Sequence, residues 1–176
     1  MLQCKNAHSA QLRLVAKEGR PCYGKTARKP MRRLLLVDIE NYCGKGILGP
    51  EDVREAKEAI GHELELRDDD LVVIGTSHSK NFLVCGTEWE GPRQVLRYGH
   101  NGADLALIDA SREYRLDTFS SLIIVSGDSI FADVASAFRA ERRRVTVAHG
   151  QGRLSSQLLR SASDVRRIQP HVKPAA

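Results

Sequence analysis

Short aliphatic runs separated by amphipathic segments are the feature that most constrains the fold of this 176-residue chain. Strands this apolar must be covered on both faces, and helices that alternate with strands cover a parallel sheet in this way. The sequence therefore predicts an α/β fold, a three-layer α/β/α sandwich with a mainly parallel sheet of about five strands. The predicted strands read RLLLV at 33–37, DLVVIG at 70–75, RQVLRYG at 93–99, SSLIIV at 120–125 and RVTVAHG at 144–150.

The segments between these strands predict the helices. Gly49-Pro50 opens a stretch in which apolar residues recur at helical spacing, and a short helix before a turn is expected within 76–91. Further helices are predicted over 101–116, 128–143 and 154–168.

Charge separates an N-terminal segment from the rest of the chain. Residues 1–33 hold nine Lys/Arg and a single acid, although the net charge of the whole chain is only +5. We predict a basic, flexible arm over 1–31, a domain over 32–168 that holds the predicted strands and helices, and a tail over 169–176. Such an arm suits contact with nucleic acid, although a solvated tail has the same composition.

The aliphatic runs are too short to cross a bilayer, and the N-terminal segment lacks the apolar core of a secretory signal. We therefore expect a cytoplasmic protein with no membrane partner. The four cysteines are scattered, which predicts reduced thiols. A zinc site made of Cys4, His8 and Cys22 fits none of the usual ligand spacings.

Three aspartates are predicted to fall at the carboxyl edge of the sheet, where open parallel sheets bind ligands. Asp38 follows the first strand, Asp128 follows the fourth, and Asp104 lies at the start of a helix after the third. Asp104 and Asp128 could simply cap helices. Asp38 and Glu40 lack that explanation, because no helix is evident behind them before Gly49. Converging carboxylates without a basic partner favour a hard divalent cation, Mg²⁺ or Mn²⁺.

The motifs that carry these acids resemble those of the NYN domains, a branch of the PIN-like ribonuclease superfamily. The matching pieces are LLLVDIEN, NGADLAL, IIVSGDSIFADV, RVTV and SASDVRRI, and they occur in the family's order over about residues 33–168. The resemblance implies metal-dependent endonucleolytic cleavage of RNA, with Mg²⁺ or Mn²⁺ as cofactor.

By this resemblance, Asp38, Asp104 and Asp128 correspond to the metal-binding acids of the family. Asn41 matches an asparagine that helps to position substrate or water, and Ser126 matches a small hydroxyl residue near the metal and phosphate.

One position departs from the family pattern SGDxDF, because Ile130 stands where a second aspartate is expected. Asp133 lies three residues further along the same predicted helix, so its carboxylate could reach the pocket. Alternatively, Asp133 is a solvated helix residue.

Other polar residues are candidates for auxiliary roles. Glu40 could orient a water or act as a base, or it could be an exposed loop residue. Substrate contacts are predicted for residues on or beside the strand-to-helix connections: Lys45, Ser129, His100, His78, Lys80 and Arg97. Trp89, Tyr42 and Tyr98 are the aromatic residues that could stack on bases.

Two other functions compete with the nuclease. GDSIFAD also fits the G-D-x-x-x-x-D pattern of haloacid dehalogenase-like phosphatases, but that family has an aspartate where this chain has Glu40. A non-catalytic RNA-binding module is the second alternative, and Ile130 favours it. The sequence leaves the oligomeric state and protein partners open.

Overall fold

The computed structural model of the protein describes residues 32–169. The predicted arm over 1–31, with Cys4, His8 and Cys22, lies outside the described residues, as do residues 170–176 of the tail. Within 32–169, no helix has the length and apolar character needed to cross a membrane.

Six strands form one fully parallel sheet in the order β3-β2-β1-β4-β5-β6. This confirms the predicted α/β/α sandwich, with one strand more than expected. The strand order reverses direction between β1 and β4, and such a switch point opens a crevice at the carboxyl edge of the sheet. The strands are β1 (Arg33–Asp38), β2 (Leu71–Thr76), β3 (Arg93–Leu96), β4 (Ser121–Val125), β5 (Arg144–His149) and β6 (Asp164–Arg167).

Helices cover both faces of the sheet. One face packs against α1 (Ile39–Cys43), α2 (Pro50–Glu63) and α3 (Ser79–Glu88), and the other packs against α4 (Gly102–Arg112), α5 (Ala132–Ala140) and α6 (Ser156–Ser161). Short 3-10 turns at Leu116–Thr118 and Ser129–Phe131 precede β4 and α5.

The central position of β1 in the sheet explains why its sequence is apolar throughout. Leu35 and Val37 belong to the core on the α1–α3 side, whereas Leu34 and Leu36 belong to the core on the α4–α6 side. All four side chains are fully buried. Truncating a buried leucine to alanine typically lowers the free energy of unfolding by about 2–5 kcal/mol, so the side chains of this strand contribute strongly to the stability of the fold.

The C-terminal segment differs from its prediction as a single helix over 154–168. Helix α6 covers only Ser156–Ser161, and the chain then forms the edge strand β6, which pairs with β5 from Asp164 opposite Thr146. Ile168, just beyond β6, is buried in the α1–α3 side of the core. Burial of this side chain fixes the end of the described chain against the sheet.

Candidate active site

An open depression of about 230 Å³ lies at the carboxyl edge of the sheet, at the switch point between β1 and β4. Four carboxylates line it, from Asp38, Glu40, Asp104 and Asp128. No lysine, arginine or histidine is among the described residues that line it. The structure therefore brings together the three aspartates that the sequence predicted to converge.

Asp38 ends β1 and also caps α1, a helix that the sequence did not predict. Its Oδ1 accepts a hydrogen bond from the backbone N–H of Asn41 at 3.2 Å, and Gly44 closes the helix with a φ of 65°. The other oxygen, Oδ2, accepts from the hydroxyl of Ser126 at 3.4 Å. Capping thus accounts for only one oxygen of a side chain that is only 4% exposed.

Asp104 is placed by a tight turn in front of α4. Asn101 adopts a φ of 54°, and a Cβ atom on Gly102 would lie 1.9 Å from the carbonyl oxygen of Arg97. Only glycine allows this approach, which brings the first turn of α4 to the depression. Asp104 is 7% exposed, and its Oδ1 is buried without a hydrogen-bond partner among the described residues.

Asp38 and Asp104 form a pair of buried carboxyl groups that line the same depression, close enough for each to change the pKa of the other. The pKa of Asp38 is raised to about 8, chiefly because the side chain is buried and secondly because of the negative charge of Asp104, while the N–H of Asn41 opposes the shift. Burial is also the largest cause that raises the pKa of Asp104, and the charge of Asp128 adds to it. Without a cation, the pair therefore retains a proton near neutral pH.

Asp128 follows β4 and caps the 3-10 turn in front of α5. Its Oδ1 accepts from the N–H of Ile130 at 3.1 Å and from the hydroxyl of Ser129 at 3.3 Å. Its own N–H donates to the hydroxyl of Ser126 at 3.2 Å. The capping role that the sequence left open is thus real, and Asp128 also lines the depression.

Asn41 connects the two strand ends. Its Oδ1 accepts a hydrogen bond from the N–H of Gly127 at 3.0 Å, which ties α1 to the loop after β4. This contact fixes the orientation of the amide, so its NH₂ group is the part left for a ligand in the depression.

Glu40 lines the same depression and is held by residues of the β2–α3 connection. Its Oε1 accepts from the N–H of Ser77 at 2.8 Å and from Nδ2 of Asn81 at 2.6 Å, and the Ser77 hydroxyl donates to Oε2. Asn81 is fully buried and also bonds the backbone of Gly46 and Leu48. Glu40 therefore anchors the wall of the site. Sequence reasoning missed Ser77 and Asn81, because they lie 37 and 41 residues from Glu40.

Asp133 and Lys45 do not line the depression. Asp133 is exposed on α5, so the structure does not bring it to the aspartates in place of the missing acid at Ile130. Lys45 forms an ion pair with Asp52 at 2.5 Å and borders a separate cavity beside Tyr42.

The remaining candidates surround the site. Ser129 and His100 are exposed, and His100 lies between Gly99 and Asn101, which line the depression. Three others take part in local contacts or stand at the surface: His78 accepts from the N–H of Lys80 at 3.1 Å, Arg97 pairs with Asp109 at 3.0 Å, and Lys80 is exposed.

Within residues 32–169, no three His, Cys, Asp or Glu side chains stand in a preformed metal-binding cluster. The carboxyl groups of Asp38 and Asp104 lie close together, whereas Oδ1 of Asp128 faces the backbone of its own turn. The donor set nevertheless fits a hard cation, because it consists of carboxylate oxygens, one of them buried without a hydrogen-bond partner, and no basic side chain lines the site.

Comparison with known proteins supports the fold alone. No protein-family model matches the sequence, and a comparison with curated proteins gives no match. The chain is similar to the crystal structure of a protein of unknown function from Vibrio parahaemolyticus, with a TM-score of 0.56 and 17% sequence identity. The alignment covers 81% of this chain and 95% of that one.

Proposed function

We propose that the protein is a metal-dependent endoribonuclease of the NYN type. The observation that carries the proposal is the buried Asp38–Asp104 carboxyl pair at the switch point of a fully parallel sheet. Burying two like charges without a basic partner is unfavourable unless they share a proton or bind a cation. A stable fold gains nothing from such a pair, so we assign it to ligand binding.

Asp38, Asp104 and Asp128 would hold the cation. A bound Mg²⁺ or Mn²⁺ would neutralise charge on a phosphate and lower the pKa of a water at the site. The chain's own contribution is orientation: Ser126 and the N–H of Asn41 fix the Asp38 carboxylate, and the Gly102 turn fixes Asp104. The amide NH₂ of Asn41 is available to a phosphate oxygen.

The distribution of charge favours a polyanion over a small phosphomonoester. Residues 139–169 carry eight arginines and two acids, and this segment forms the side of the sheet next to the site. Arg153 follows β5 and Arg167 ends β6, so both lie at the carboxyl edge, and both are exposed. The backbone of Arg153 also touches Gly127, the residue before Asp128. Contacts of this kind position a phosphate backbone without reading its sequence. We also propose a cytoplasmic location.

The test uses a matched pair of aspartate variants. Asp38→Asn keeps the cap of α1 and the side-chain volume but removes the charge, whereas Asp133→Asn removes an exposed charge away from the depression. The full chain is incubated with a mixed RNA pool, with and without Mn²⁺, and the products are resolved on a gel.

We expect Mn²⁺-dependent cleavage by the wild type and by Asp133→Asn. Asp38→Asn should lose at least about 100-fold in rate, because it removes part of the charge stabilisation that a metal supplies. Mn²⁺ should also raise the melting temperature of the wild type but not that of Asp38→Asn.

Equal RNA cleavage by folded Asp38→Asn would refute the proposal. RNA binding without cleavage or Mn²⁺ stabilisation would identify a non-catalytic module. Phosphate release from small phosphomonoesters, with RNA intact, would identify a phosphatase.

A further inference from the structure

The loop between β3 and α4 carries an exposed aromatic ring beside the acidic depression. Tyr98 is 67% exposed, and its neighbours Gly99, Asn101 and Gly102 line the depression. The other aromatic residues considered for base stacking are unavailable for it, because Trp89 is 4% exposed and Tyr42 is 7% exposed.

The loop that presents Tyr98 is held at both ends. The N–H of Arg97 donates to the carbonyl of Thr76 at 3.2 Å, and its guanidinium pairs with Asp109 at 3.0 Å. On the other side, the N–H of Gly102 donates to the carbonyl of Gly99 at 3.0 Å, and Gly102 fits closely against the Arg97 carbonyl. A tyrosine on a fixed backbone has only two side-chain torsions to order, so it can form a contact at low entropic cost.

We propose that Tyr98 is a substrate-binding residue whose ring stacks on an unpaired base next to the scissile phosphate. The inference rests on the proposed RNA-directed function and adds a residue that binds the substrate. In a duplex, the faces of the bases are covered by their neighbours, whereas in a single strand a base can be splayed onto an aromatic ring. An exposed ring beside the depression that would hold the phosphate favours the second kind of substrate.

The experiment measures binding separately from cleavage. All variants are made in the Asp38→Asn background, and fluorescence anisotropy follows a labelled single-stranded RNA and the same strand annealed to its complement. Tyr98→Ala removes the ring, Tyr98→Phe keeps it, and Leu83→Ala is the control, because Leu83 on α3 is 66% exposed and does not line the depression.

We expect Tyr98→Ala to weaken binding of the single strand about tenfold, the effect of losing one stacked base, and to leave duplex binding unchanged. Tyr98→Phe and Leu83→Ala should retain the affinity of the parent. Unchanged single-strand affinity in Tyr98→Ala, an equal loss for both RNAs, or no RNA binding by the parent would overturn the inference. Failure of the proposed nuclease activity is seen separately, as absence of Mn²⁺-dependent cleavage by the wild type, and leaves the Tyr98 measurement interpretable.

Discussion

At the scale of single residues, Asp38 performs two tasks with its two carboxylate oxygens. One oxygen caps α1, and the other faces Ser126 in the environment shared with Asp104. An asparagine could do the first task equally well. The fold therefore does not need the negative charge of Asp38, whereas a bound cation would need it.

The raised pKa of Asp38 predicts how metal-free stability depends on pH. The carboxyl has a pKa of 3.8 in the unfolded chain and about 8 in the folded protein, so the folded state keeps a proton that the unfolded state releases. Stability should therefore fall as the pH rises from about 4 to about 8, by up to a few kcal/mol, and Asp38→Asn should lack this part of the slope. Urea unfolding in EDTA across this range measures both proteins. Parallel stability curves for wild type and variant would contradict the assignment.

Individual residues also show why parts of the site escaped sequence reasoning. Asp38, Asp104 and Asp128 were predictable, because each follows a strand or opens a helix and the fold brings strand ends together. The anchoring of Glu40 by Ser77 and Asn81 was not, because it depends on which loops become neighbours after the sheet is assembled.

At the scale of secondary-structure elements, five strands were predictable from their apolar runs, and two short elements were missed for different reasons. Edge strand β6 reads DVRR and leaves both arginines exposed, so it has no apolar run to mark it. Helix α1 has only five residues, too few for a helical period, although Asp38 before it and Gly44 after it are the usual capping residues.

The turn in front of α4 gives a prediction at this scale. In Gly102→Ala, the new methyl group would lie 1.9 Å from the Arg97 carbonyl, so the start of α4 must shift and move Asp104. We expect a loss of about 1–3 kcal/mol in the free energy of unfolding and loss of stabilisation by Mn²⁺. Chemical denaturation with and without Mn²⁺ measures both effects.

Gly86→Ala is the matched control, because Gly86 lies within α3 and a Cβ atom there meets nothing within 4 Å. It should stabilise the protein by about 0.5–1 kcal/mol, since glycine is unfavourable inside a helix. A Gly102→Ala variant that behaves like this control would mean that the turn does not position Asp104.

At the scale of the whole molecule, charge is segregated across the sheet. Residues 34–138 hold nineteen acids and nine Lys/Arg, whereas residues 139–169 hold eight arginines and two acids. The acidic site lies where β1 meets β4, so a bound polyanion would extend over the basic side formed by β5 and β6.

This segregation predicts the salt dependence of RNA binding. If RNA binds as proposed, Arg153→Ala and Arg167→Ala should each reduce the slope of log affinity against log salt concentration by about 0.7–1, because each would remove one phosphate contact. Arg115→Ala should leave the slope unchanged, because Arg115 precedes β4 at the opposite edge of the sheet and pairs with Asp117. Anisotropy titrations at several salt concentrations test the three variants. An equal effect of Arg115→Ala would show that only net charge matters.

The place of β1 in the sheet, between β2 and β4, also has a consequence for the timing of synthesis. Asp38 and Ser126 are 88 residues apart in sequence, and β1 finds its second neighbour only when β4 has been translated. A nascent chain therefore contains Asp38 long before it contains the residues that surround Asp38 in the folded domain. Pairing between strands so far apart in sequence is also slow to form. If the site cleaves RNA, the ribosome will have synthesised most of this domain before the site can cleave the messenger RNA that is being translated.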